Sequence, residues 1–68
     1  MNPATIRKQL ATLGTATTVM FNRQRTEVMF TVPAFYDDVC RAMDGLNLKV
    51  ECVGTVDGKP TYLAKQQS

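Results

Sequence analysis

Histidine and tryptophan are absent from this 68-residue chain, its only serine is the terminal Ser68, and it holds two cysteines, four glycines and three prolines. Each shortage removes a chemistry. Without histidine no side chain has an ordinary pKa near neutrality, and the usual proton shuttle is missing. Cys40 and Cys52 stand twelve positions apart, in no metal-type spacing, so neither a metal site nor any cofactor is expected. Asp37 and Asp38 are adjacent, and neighbours on a helix point about 100° apart rather than at one reacting atom. A nucleophilic Cys40 would need a base and an electropositive setting, and its neighbours are acidic. The chain is therefore read as a non-enzyme.

Long apolar runs are missing too. No stretch approaches membrane-spanning length, and the opening MNPATIRKQL lacks the apolar core of a secretion signal. Cys40, on the flank of a helical stripe, and Cys52, on the apolar parity of a strand, read as small buried thiols of a reducing compartment. The location expected is cytoplasmic. Sixty-eight residues make one domain, 1–68, with one small core and no room for a large enclosed active site.

What the chain does have is patterning. In TEVMFTV, residues 26–32, Val28, Phe30 and Val32 share one face of a half-buried strand. Pro33 then gives no N–H to a ladder and suits a first helical turn. Phe35, Val39, Ala42, Met43 and Leu46 follow at steps of three and four, opposite Asp37, Asp38, Arg41 and Asp44, which predicts a helix over about 34–45 with Gly45 stopping it in the left-handed conformation. Asn2-Pro3 starts an earlier helix as N-cap and first-turn proline, Ile6, Leu10 and Leu13 mark its face, and Gly14 ends it, over about 3–13.

Between the helices, Thr17, Val19 and Phe21 alternate with Thr18, Met20 and Asn22. A hairpin over about 16–32 turning at Asn22-Arg23-Gln24-Arg25 sets Phe21 opposite Thr26 and Val19 opposite Val28. After the second helix, Leu48, Val50 and Cys52 alternate with Lys49 and Glu51, and Asp57-Gly58 signals a tight turn within a hairpin over about 47–65. Two registers are open there: Cys52 opposite Leu63, or a bulge near Gly54 that turns Tyr62 and Ala64 inward. Pro60 points to an edge position for the last strand, or to pairing that starts after it. Residues 66–68 read as a frayed tail. The fold class expected is α+β, in the order αββαββ, with two helices on one face of a four-stranded antiparallel sheet.

The net charge of +2 is too mild to imply a polyanionic partner by itself. Its distribution is uneven: residues 37–44 carry three acids and one arginine, net −2, leaving +4 for the rest. Arg7, Lys8, Arg23, Arg25 and Lys59 are the candidate nucleic-acid contacts, with Tyr62 the one aromatic free to stack. The stretch from Tyr36 through Asp57-Gly58 resembles the recognition helix and wing of winged-helix proteins, which implies DNA binding. Asp37, Asp38 and Asp44 on that helix would repel phosphate, and a hairpin stands where the family has its preceding helix.

Protein binding fits better. Met20 and Met29 fall off the core parity, so the sheet's second face is expected to present soft apolar surface, with Arg23 and Arg25 beside it. The competing expectation is a helix crossing to that face and covering both methionines. Unpaired sheet edges would also accept a partner strand, or a second copy as a homodimer. In size and style the chain is similar to small regulators that phages make to block or redirect a host enzyme, an analogy that transfers no residues.

Overall fold

The computed structural model describes residues 1–67; Ser68 lies outside them. Two helices and four strands follow one another as α1 (Pro3–Ala11), β1 (Thr18–Phe21), β2 (Glu27–Thr31), α2 (Tyr36–Asp44), β3 (Leu48–Val56) and β4 (Lys59–Gln66). The strands form one antiparallel sheet in the order β1-β2-β4-β3. Both helices cover the same face, because Ile6, Leu10, Val39 and Met43 join Val28, Phe30, Val50, Tyr62 and Ala64 in a single core. This is the α+β arrangement that the alternating and helical periodicities predict.

α1 begins where Asn2 Oδ1 accepts from the Ala4 N–H at 2.9 Å, with proline in the first turn. The chain then leaves the helix through Gly14, at φ 115°, where a Cβ would come within 3.0 Å of the Pro33 ring. So the end of the first helix and the entry to the second are packed against each other, and only glycine fits both the angle and the approach.

α2 departs from expectation at both ends. Its first residue is Tyr36; Phe35 is an extended N-cap at φ −74° and ψ 155°, and its side chain is 83% exposed. The buried stripe of the helix is Val39 and Met43, flanked by half-buried Cys40 and Ala42, and Tyr36 is itself 47% exposed. Gly45 stays right-handed at φ −62°, and Asn47, at φ 60°, makes the left-handed turn instead, asparagine being the residue that tolerates it best after glycine.

The first hairpin keeps the expected faces in a different register. Phe21 pairs with Val28 and Val19 with Phe30, a slip of two from the expected pairing, which preserves every side chain's face where a slip of one would reverse it. Asn22 sets this register: its Oδ1 accepts from the N–H groups of Thr26 (2.8 Å) and Glu27 (3.0 Å). The loop therefore lies one residue later, with Arg25 left-handed at φ 56°.

The second hairpin turns at Asp57-Gly58, both at positive φ (51° and 79°), the signature of a type I′ turn. Val53 is the extra residue between Cys52, opposite Tyr62, and Gly54, opposite Thr61. The bulge settles the open choice: Tyr62 and Ala64 point into the core, at 2% and 0% exposure. β4 is central, not an edge, and pairs with β3 from Lys59 onward. Pro60 is accommodated because its carbonyl accepts from Val32 N–H at 3.3 Å just where β2 gives way to Pro33, so no longer ladder needs its missing donor. Gln66 belongs to β4 and donates to Thr26 O at 2.9 Å, and Gln67 N–H donates to Asn47 O at 3.3 Å, so neither is frayed; Ser68, the rest of the expected tail, lies outside the described residues.

Candidate functional site

The register decides which side chains occupy the face that the helices leave open. Met20 pairs with Met29, Met29 with Leu63 and Leu63 with Glu51, one row crossing all four strands. At a strand spacing near 4.8 Å, Met20 to Leu63 makes an apolar ridge about 10 Å long. Met20 is 57% exposed, and Met29 and Leu63 are half-buried. Among the described residues no helix crosses to this face, since both pack on the other one, so the expectation of a covering helix does not hold. Leu63 is the member that pattern reading missed; its side depends on the bulge at Val53, and only the bulged register turns it away from the core.

The rows on either side are polar in different ways. Toward the second hairpin's tip lie Thr18, Thr31 and Thr61, with Thr31 and Thr61 buried and their hydroxyl oxygens 2.8 Å apart. That bond satisfies two polar groups that would otherwise weaken a packed surface. On the other side lie Glu27, Lys65 and Lys49, with Lys65 Nζ 3.9 Å from Glu27 and 3.3 Å from Glu51.

Arg23 and Arg25 project from the loop that follows Met20 and Phe21. Both are exposed, and neither forms an ion pair among the described residues. The remaining candidate cations are elsewhere. Arg7 lies over the Phe21 ring at 6.0 Å and Lys8 sits in the last turn of α1, in the helical layer. Lys59 belongs to the opposite end of the sheet, since Glu27 pairs with Lys65 near the first loop and Thr31 with Thr61 toward the second. Tyr62, the expected stacking ring, is a core residue whose hydroxyl donates to Ala34 O at 2.7 Å.

Two open grooves flank α2. One, of about 570 Å³, runs between the helices past Leu13, Pro33, Ala34 and the exposed Phe35. The other, of about 400 Å³, lies between α2 and β3 and gathers Tyr36, Cys40, Arg41, Asp44 and Lys49. Asp37 is not part of its lining, and Asp38 is held 3.5 Å from Arg41 on the helix surface. The Tyr36 phenol is pushed above its ordinary value, first by the neighbouring Cys40 sulfur, then by desolvation and by the negative charges of Asp37 and Glu51, while its hydroxyl donates to Val50 O at 3.0 Å. It is thus a protonated donor at neutral pH, not a base for Cys40. Both thiols are free, Cys40 half-buried and Cys52 exposed rather than buried as its parity suggests, along with the rest of β3 from Glu51 to Val56.

No protein-family model matches the chain, and no curated protein and no solved structure matches it significantly. The geometry of its own surface is therefore what bears on function.

Proposed function

We propose that the chain is a small non-catalytic regulator that acts in the cytoplasm by stoichiometric binding to a protein, in the manner of phage-type modulators or inhibitors of a host enzyme. The observation that supports this is the ridge of Met20, Met29 and Leu63 on a sheet face that no helix covers. Methionine and leucine there offer flexible, polarisable surface that adapts to a partner, with backbone rigidity supplied by the ladder beneath. Arg23 and Arg25, unpaired beside the ridge, select a partner with an apolar patch edged by carboxylates.

A further point favours Arg25. A non-glycine side chain at φ 56° costs on the order of 1 kcal/mol, and local strain of this kind is a feature of functional sites. Nucleic acid is the competing ligand for the two arginines; it predicts weak binding that falls steeply with salt.

The test is affinity capture from lysate with and without nuclease, comparing the native chain with Met20→Asp/Met29→Asp. The proposal expects one protein retained through nuclease and high salt by the native chain and released by the variant. Capture that vanishes with nuclease, or that survives in the methionine variant, contradicts it.

A further inference from the structure

The outer edge of β3 has a register of its own. Gln66 N–H donates to Thr26 O at 2.9 Å and Val32 N–H to Pro60 O at 3.3 Å. Along an antiparallel strand each residue turns its N–H and C=O to one side, and consecutive residues alternate. Tyr62, Ala64 and Gln66 therefore bond to β2, while Thr61, Leu63 and Lys65 bond to β3. Their partners Lys49 and Glu51 face inward, which leaves Leu48, Val50 and Cys52 with main-chain groups turned away from the sheet. The Tyr36 hydroxyl reaches Val50 O from outside at 3.0 Å, as this alternation requires.

This free edge is bounded. The left-handed Asn47 precedes it and the bulge at Val53 follows, so the regular stretch is 48–52, centred on Val50. We infer that this edge pairs with the same edge of a second copy, antiparallel about a two-fold axis through Val50. Val50 then meets Val50, and Leu48 meets Cys52, so outward-facing residues meet outward-facing residues and each such pair exchanges two main-chain hydrogen bonds. The same axis sets Lys49 opposite Glu51 of the second copy, twice, on the open face.

Charge argues for this occupant over an unrelated strand. Within one chain Lys49 stands directly opposite Lys65, a like-charge pair, and Lys49 has no ion pair among the described residues. Glu51 of the second copy, whose carboxylate also stands 3.3 Å from its own Lys65, supplies the missing anion. The other edge, β1, is only four residues long and carries no charge that would fix a register. Tyr36 acts as a latch: to free Val50 O for the second copy its half-exposed ring must release one hydrogen bond, so the pairing is transient and the lone chain's edge is partly protected.

The test is sedimentation of the intact chain from about 10 µM to about 1 mM, the range suited to a contact below about 1,200 Å². Native protein should show reversible monomer–dimer exchange. Lys49→Glu and Glu51→Lys should each weaken association about tenfold or more, two like-charge pairs replacing two attractive ones. An equimolar mixture of the two should restore it, as should the double swap in one chain, and Tyr36→Phe should strengthen it. Native protein that stays monomeric to about 1 mM, single variants that associate like the native chain, or failure of both the mixture and the double swap would overturn the inference.

Discussion

The Tyr62 hydroxyl donates to the Ala34 carbonyl at 2.7 Å, joining the central strand β4 to the segment that leads from β2 into α2. The ring lies in the core, 5.9 Å from Phe30 and 6.3 Å from Tyr36, and is 2% exposed. One side chain thus links sheet, helix entry and core, and does so only while protonated.

That gives a pH dependence. Burial, and to a lesser degree the neighbouring Cys52, Cys40 and Asp38, raise the Tyr62 phenol above 10.0. A raised folded-state value favours the protonated native form, so its contribution is complete below about 10 and is lost as pH climbs through the folded value, by at most about 1.4 kcal/mol per pH unit. Urea unfolding between pH 7 and 11 should show a plateau and then a decline. Tyr62→Phe should flatten that decline while costing about 1 kcal/mol at neutral pH, from the unsatisfied Ala34 carbonyl; an unchanged alkaline slope would contradict the assignment.

Asn22 fixes the first hairpin's register with two acceptor bonds from one oxygen, and its Nδ2 donates to Thr26 Oγ1 at 2.9 Å. Asn22→Ala should lower stability by about 1–2 kcal/mol and speed amide exchange at Thr26 and Glu27 before the rest of the sheet. Exchange rising equally everywhere would show that the side chain does not act locally.

Arg25→Gly should separate stability from binding. Glycine relieves the left-handed strain at φ 56°, so the midpoint of thermal unfolding should rise by a few degrees, corresponding to about 0.5–1 kcal/mol. Association with the proposed protein partner should weaken at the same time. A variant that gains stability and binds as well as the native chain would remove Arg25 from the contact.

Periodicity carried the architecture because it reports faces, and faces survive a slip of two. Val28, Phe30, Val39, Met43 and Val50 were legible as core for that reason, and Met20 and Met29 as outward. Details set by single side-chain bonds were not. The pairing of Phe21 with Val28 depends on where the Asn22 amide closes the loop. Phe35 is apolar and in phase with the helical stripe, yet it precedes the first helical residue and so points to solvent. Leu63 entered the open face only through the bulge at Val53, a feature that Gly54 hints at without fixing.

The central claim is that Met20 and Met29 form a contact surface and not a core. The most direct measurement is the thermal unfolding midpoint and partner affinity of Met20→Asp/Met29→Asp, with Phe35→Ser as the control on the helical side. The account predicts a variant that still unfolds cooperatively within a few degrees of the native midpoint and has lost partner binding, while Phe35→Ser binds normally. Collapse of the fold in the methionine variant, or loss of binding in Phe35→Ser alone, would contradict it.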